Sequence, residues 1–187
     1  MDQAETGDLL LFRGSHFSGK MTRGFTKGDA DHCGIVMRFD KFSKGVIFFL
    51  ESVTDRGVCF SKWDEFLKNN SIYEQIFFRK LTCVRDKAFY DKFEEFLDKV
   101  QGNDYQLNFQ KLLFSRKSVN LGEGDLKLEK RRFFCSELII KCYKEMGLLK
   151  TDNASCSYTP ASLSCMAKHP IKLENASLGE DQIIIIS

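Results

Sequence analysis

Residues 133–138 have the sequence Phe133-Phe134-Cys135-Ser136-Glu137-Leu138 and begin an amphipathic helix. Apolar residues then recur at helical spacing on one face, namely Leu138, Ile139, Cys142, Tyr143 and Met146. Gly147 follows them and predicts the end of the helix. Because the dipole and the free N–H groups at a helix start stabilise an anion, a thiolate at Cys135 would have a lowered pKa. A cysteine in this position is more often a small buried hydrophobic residue, so a catalytic role requires a partner.

A candidate partner lies in the sequence Asp31-His32-Cys33-Gly34-Ile35-Val36. His32 begins an apolar strand directly after a polar loop, which predicts that its ring lies at the rim of a sheet. An imidazole beside Cys135 would complete a Cys–His nucleophile, and the two residues need only meet in space. A histidine at a strand start is more often an ordinary rim residue. His169 is the alternative partner, whereas His16 lies in a loop with no strand to fix it.

The hydrophobic pattern predicts an α+β protein, because strands come first along the chain and helices are mixed in after them. Strands are expected at about 8–13, 32–39, 45–53, 57–60, 72–80 and 183–186. Helices are expected around Trp63, over 86–101, from Cys135, and from Thr159-Pro160 to Ala167. The Gly- and Lys-rich stretch 14–31 predicts a long loop, which we expect to border the same cleft as Cys135.

The length and composition limit the classes of function. A chain of 187 residues predicts one domain spanning 1–187. Its 28 basic and 26 acidic residues give a net charge of +2, so no field favours nucleic acid. No window approaches the ~18 apolar residues of a membrane span, and residues 1–7 lack the apolar run of a secretory signal. We therefore expect a cytoplasmic protein that has no transmembrane segment.

The seven cysteines are odd in number and irregularly spaced, and no CxxC pair is present. This pattern disfavours a disulfide scaffold, a zinc ribbon and a thioredoxin-type motif. A metal protein with His and Cys ligands is disfavoured for the same reason, so no cofactor and no metal are expected. Residues 106–132 form a basic insertion, which is interpreted either as a solvated excursion or as a substrate-facing segment.

Six short blocks occur in a specific order along the chain. They are Gly7-Asp8-Leu9-Leu10-Leu11-Phe12, His32-Cys33-Gly34-Ile35-Val36, Phe49-Leu50-Glu51-Ser52, Gly102-Asn103-Asp104-Tyr105, Phe134-Cys135-Ser136-Glu137-Leu138-Ile139 and Tyr158-Thr159-Pro160-Ala161-Ser162-Leu163. This order resembles the circularly permuted NlpC-type papain-like proteins of the YaeF/YiiX-like group, with lecithin:retinol acyltransferase as a more distant relative. The resemblance implies an α+β papain-like fold, with an antiparallel sheet or small barrel packed against helices. It also implies that the His strand precedes the Cys helix.

The resemblance also implies roles for individual residues. Cys135 would be the nucleophile, His32 the general base and acid, and Glu51 the group that orients the imidazole. Glu51 fits that role physically, because a hairpin can bring a carboxylate beside the ring and thereby fix its tautomer. The substrate-binding residues would be Tyr105, Phe134 and Ser136. Cys33 replaces the small apolar residue typical of the group, and we expect it to pack inward and be inert.

The function expected from this resemblance is a thiol hydrolase or acyltransferase, such as an amidase, a cysteine peptidase or a lipid acyltransferase. It would cleave an amide or ester bond through an acyl-enzyme on Cys135. The substrate would be a small-molecule, lipid or peptide acyl group, with the basic insertion able to contact an anionic membrane peripherally. The alternative is a catalytically silent binding module that keeps the fold.

Overall fold

The computed structural model describes residues 1, 3–15, 29–38, 45–53, 57–69, 72–101, 119–120 and 135–184. The strands are β1 (Leu9–Gly14), β2 (His32–Arg38), β3 (Ile47–Val53), β4 (Gly57–Lys62), β5 (Tyr73–Arg79), β6 (Leu81–Thr82), β7 (Val119–Asn120), β8 (Ser177–Leu178) and β9 (Gln182–Ile184). The helices are α1 (Trp63–Asn69), α2 (Lys87–Gln101) and α3 (Cys135–Glu145). Two short 3-10 helices follow them, Ser155–Ser157 and Pro160–Leu163.

The main sheet has seven strands in the order β7-β4-β3-β2-β1-β5-β9, and β6 pairs separately with β8. Every neighbouring pair in the main sheet is antiparallel. The α+β architecture with an antiparallel sheet that the sequence predicts is therefore confirmed. Strand β2 lies at the centre of the sheet between β1 and β3, so the strand that carries His32 adjoins the strand that carries Glu51.

The two faces of the sheet are covered by different helices, because successive side chains of a strand point to opposite sides. On one face Cys33, Ile35 and Met37 of β2 join a core that includes apolar residues of α2 and α3. On the other face Val36 joins a cluster formed by Phe12, Phe49, Trp63 and their neighbours, which α1 covers. The apolar residues that recur at helical spacing in the sequence are thus the ones that these helices pack against the sheet.

Helix α3 is fixed by contacts at both of its ends. It packs against β2 and β3. The Tyr143 hydroxyl, fully buried, donates a hydrogen bond to the carbonyl of Gly7 over 2.9 Å. Gly147 has a φ of 73°, a left-handed conformation that favours glycine and ends the helix where the sequence predicts. These contacts set the position of the first residue of α3, which is Cys135.

Several predicted elements differ from the observed ones in extent. The helix expected to reach Ala167 is a 3-10 helix that ends at Leu163, because Ser164 adopts extended backbone and its hydroxyl binds Asp181 instead. Within the predicted basic insertion, Val119–Asn120 pairs with β4. The remainder of 106–132 and loop residues 16–28 lie outside the described residues. In the part of the chain that the structure describes, no helix is long and apolar enough to cross a membrane.

Candidate active site

Three elements bring Cys135, His32 and Glu51 to one place. Cys135 is the first residue of α3, and His32 is the first residue of β2. Glu51 lies on β3 directly opposite Gly34, which is two residues beyond His32 on the same face of the sheet. The antiparallel register of β2 and β3 therefore holds the carboxylate beside the imidazole.

The ring of His32 has a different partner on each nitrogen. Its Nε2 atom lies 2.8 Å from the Oε2 atom of Glu51, and the two side chains are 13% and 5% exposed. The His32 side chain also forms a hydrogen bond with the Cys135 side chain. Since Nε2 is engaged by Glu51, Nδ1 is the nitrogen left for the sulfur. The three groups thus form a hydrogen-bonded chain from carboxylate to imidazole to thiol.

The charged forms of Cys135, His32 and Glu51 stabilise one another. Burial alone would lower the pKa of His32, but the Cys135 thiolate, hydrogen bonds with Cys135 and Glu51, and the Glu51 charge together raise it to about 10. A hydrogen bond from the Cys33 thiol is the largest cause that holds the pKa of Cys135 well below its ordinary value. Burial opposes that shift, while the His32 charge reinforces it. At neutral pH the pair is therefore a thiolate and an imidazolium, which titrate as one coupled unit.

Cys33 has a larger role than the sequence indicates. It is fully buried, as expected, and burial raises the pKa of its own thiol well above the ordinary value, so it stays protonated. Hydrogen bonds from its thiol and its backbone are nevertheless among the causes that lower the pKa of Cys135. A residue adjacent to His32 in sequence therefore helps to stabilise the thiolate.

The second oxygen of Glu51 is also engaged, by residues that the sequence analysis did not single out. The Ser61 hydroxyl donates a hydrogen bond to Oε1 of Glu51, and the Cys59 sulfur lies 4.0 Å from the same atom. All three side chains are buried. The signal that could have found Ser61 and Cys59 is the pair of small side chains at alternate positions of β4, facing the same side as Glu51.

Two aromatic rings, which also contact each other, lie beside the imidazole. The ring of Tyr73 is nearly parallel to that of His32, at 11° with centroids 6.1 Å apart, and the Phe12 centroid lies 5.4 Å from it. Phe12 is fully buried and also contacts Phe49 and Phe66. Aromatic rings attract cations, so these two neighbours favour the protonated form of the imidazole. Tyr73 and Phe12 are further residues that the sequence analysis missed.

The other predicted site residues have different positions. Ser136 is buried, and its hydroxyl donates a 2.7 Å hydrogen bond to the carbonyl of Tyr158, so this hydroxyl anchors the segment that follows α3. Tyr105 and Phe134 lie outside the described residues. His169, the alternative partner, is exposed, and it is His32 that contacts Cys135.

Comparisons with known proteins bear on the fold. No protein-family model and no curated protein matches the sequence. Among solved structures, the chain is similar to the crystal structure of the metalloprotein YiiX from Escherichia coli O157:H7. The two are 14% identical with a TM-score of 0.53, and the match covers 99% of this chain and 98% of that one. The chain shares the fold of YiiX. At the level of the fold, the expected similarity to the YiiX-like group is therefore confirmed.

The description of YiiX as a metalloprotein makes it necessary to test the donors of this chain. Within the described ranges, no three His, Cys, Asp or Glu side chains are arranged to hold a metal ion. The soft donors that meet here, Cys135, Cys33 and His32, are linked to one another by hydrogen bonds. The described side chains therefore do not fit a resident metal.

Proposed function

We propose that this protein is a thiol hydrolase or acyltransferase of papain-like type that cleaves an amide or ester bond through an acyl-enzyme on Cys135. The observation that carries the proposal is the chain of hydrogen bonds from Glu51 through His32 to a cysteine at the start of a helix. Such a chain activates a thiol at neutral pH because the sulfur is already ionised and the imidazole already holds a proton.

In the first half of the reaction the Cys135 thiolate attacks the carbonyl carbon of the substrate and forms a tetrahedral oxyanion. The free backbone N–H of Cys135 at the helix start is placed to donate to that oxyanion. As the intermediate collapses, the bond from carbon to the leaving amine or alcohol breaks, and the leaving group takes the proton from His32. The product is a thioester on Cys135 with a neutral imidazole beside it.

In the second half His32 removes a proton from the acceptor, which is water for a hydrolase and an alcohol or amine for an acyltransferase. The acceptor attacks the thioester carbonyl, the bond from carbon to sulfur breaks, and the thiolate–imidazolium pair is restored. Glu51 acts throughout by holding one ring nitrogen as a donor, which keeps the other facing the sulfur. The substrate class is an acyl group of a lipid or a peptide, as the resemblance to the YaeF/YiiX-like group implies.

The proposal is tested by looking for the acyl-enzyme itself. The wild-type protein is incubated with two panels of activated substrates, fatty acyl thioesters of increasing length and peptide aryl esters, and intact-mass spectrometry follows any acyl adduct. We expect an adduct that maps to Cys135 and decays faster when an amine acceptor is added. The Cys135→Ala variant should give none. The panel that reacts distinguishes a lipid from a peptide substrate.

The runner-up function is a binding module that keeps the fold without catalysis. It predicts that neither panel produces an adduct at Cys135, and that this cysteine reacts with alkylating reagents no faster than the exposed Cys156. The conjunction of a buried carboxylate, an imidazole and a stabilised thiolate argues for the enzyme, because a binding module has no need to keep a buried ion pair.

A further inference from the structure

The carboxylate of Glu51 divides its two oxygens between different elements of the sheet. Its Oε2 atom faces His32 on β2, whereas its Oε1 atom accepts a hydrogen bond from the hydroxyl of Ser61 on β4. We propose that Ser61 is a positioning residue of the candidate active site, which holds Glu51 in the orientation that serves His32. This inference rests on the proposed function and deepens it.

The register of β3 and β4 makes Ser61 a rigid support. Cys59 lies directly opposite Glu51, and Ser61 lies opposite Phe49, so the hydroxyl reaches the carboxylate diagonally across the strand pair. Ser61 is 4% exposed and has a single side-chain torsion, so little conformational freedom is lost when the hydrogen bond forms. Strands β3 and β4 each have a neighbouring strand on both sides, so their backbones hold the Ser61 side chain in a fixed position.

The chemistry of a buried carboxylate explains why such a support matters. Glu51 is 4% exposed, and a buried charge that lacks enough donors is costly. The Cys59 sulfur is a weak donor at 4.0 Å, so of these two contacts to Oε1 the Ser61 hydroxyl is the stronger one. Without Ser61 the carboxylate would lose the stronger of these two donors to Oε1, so its ionised form and its orientation towards the imidazole would be less well stabilised.

Loss of the Ser61 hydroxyl would shift the pKa values of His32 and Cys135 in definite directions. A Glu51 carboxylate that is less fully ionised and less well oriented stabilises the imidazolium less. The pKa of His32 would therefore fall below its value of about 10. A less stable imidazolium in turn stabilises the thiolate less, so the pKa of Cys135 moves up towards its ordinary value. The pH window in which the thiolate–imidazolium pair exists should therefore narrow from both sides. A purely structural role of Ser61 would change stability without moving either limit.

The test measures that window in a set of variants of the full chain. The rate of Cys135 alkylation by iodoacetamide is followed against pH in the wild type, Ser61→Ala and Ser61→Thr. For Ser61→Ala we expect the lower pH limit of the window to rise by about one unit, as suits a lost hydrogen bond to a charged group. Ser61→Thr keeps the hydroxyl and should restore the wild-type profile to within about threefold.

The chain supplies a matched control in Ser164. This buried serine also donates to a carboxylate, that of Asp181, which pairs with Arg79 at the end of β5 distant from Tyr73. Ser164→Ala makes the same substitution and removes the same kind of hydrogen bond away from Cys135. It should lower the unfolding temperature and leave the alkylation profile unchanged.

The outcomes separate the two proposals. A Ser61→Ala profile equal to the wild-type profile, with Cys135 still ionised at low pH in both, overturns the role of Ser61 alone. A wild-type Cys135 that titrates like a free thiol overturns the proposed function, whatever Ser61 does. Should Ser61→Ala fail to fold, Ser61→Cys, which keeps a weak donor of similar size, takes its place. An unchanged window in Ser61→Cys would then contradict the proposal.

Discussion

The Nε2 atom of His32 lies 2.8 Å from the Oε2 atom of Glu51, although the two residues belong to different strands. This pairing commits one ring nitrogen to the carboxylate and directs the other towards Cys135. Because both partners are largely buried, water competes poorly for either group.

Replacing Cys135 by serine tests the nucleophile. A hydroxyl at the start of α3 still suits a helix N-terminus, so we expect the unfolding temperature to change by only a few degrees, about what 1 kcal/mol produces. Acyl transfer should fall by about three orders of magnitude or more, because a serine hydroxyl is not ionised at neutral pH. Turnover of the reactive ester from the panel measures this loss. Cys156→Ser, at an exposed cysteine, should retain full activity.

Replacing Glu51 by glutamine tests the charge of the third group separately from its hydrogen bond. The amide oxygen can still accept from Nε2, so the ring keeps its orientation, but the imidazolium loses its counter-charge. We expect about a tenfold to hundredfold loss of kcat/KM, and a larger loss for Glu51→Ala, which removes the orientation as well. Equal losses in the two variants would show that the hydrogen bond to the ring contributes nothing.

Replacing Cys33 tests the donor that acts most strongly on the thiolate. Cys33→Ala removes the thiol hydrogen bond to Cys135, so the pKa of Cys135 should rise, and the pH at which alkylation reaches half its maximal rate should rise by about one unit. Cys33→Ser keeps a donor and should leave the pH dependence of Cys135 alkylation close to that of the wild type. Both variants lose a buried sulfur and should be destabilised by about 1 kcal/mol. If the pH dependence of Cys135 alkylation is unchanged in Cys33→Ala, Cys33 does not stabilise the thiolate.

The ion pair should leave a signature in the pH dependence of stability. The raised pKa of His32, about 10 against an ordinary 6.5, contributes stability that is complete below pH 6.5 and lost as pH rises through 10. The lowered pKa of Cys135 contributes stability that is complete above 9.0 and lost as pH falls through the folded value. The two slopes cancel between about pH 6.5 and 9.0 and leave a plateau that declines on either side.

That plateau is measured as a difference, because other groups also titrate. Urea unfolding at a series of pH values gives the free energy of unfolding for the wild type and for Cys135→Ala. The wild type minus the variant should be largest and flat across the plateau. A difference that is the same at every pH, with no decline below pH 6.5 or above pH 9.0, would indicate that neither pKa is shifted and would contradict the coupled pair.

Much of this site could be predicted from the sequence because its elements have strong local signals. The apolar period after Cys135 identifies α3, and the apolar run after His32 identifies β2. Their meeting could not be derived from periodicity, which says nothing about contacts between distant segments. It was expected from the order of the six blocks, including the one that contains Glu51.

The residues that the sequence analysis missed depend on register and on side-chain direction. Ser61 reaches Glu51 only because β4 pairs with β3 in one particular alignment, and a shift by one residue would turn it to the other face. Tyr73 comes from β5, which lies beyond β1 in the sheet. The hydrogen bond from Ser136 to the carbonyl of Tyr158 likewise depends on how the segment after α3 folds back, which periodicity does not encode.

The most direct test of the account is the pH dependence of alkylation at Cys135 in the wild type and in His32→Ala. Iodoacetamide labels the native protein, and trypsin then releases the peptide Phe133–Lys141, whose single cysteine is Cys135. We predict that the wild-type rate is already near its maximum at pH 6, and that in His32→Ala it rises with pH well above neutrality, towards the ordinary thiol pKa of 9.0. If the rate instead rises with an apparent pKa of about 9.0 in both proteins, Cys135 is an ordinary thiol and the proposed function is wrong.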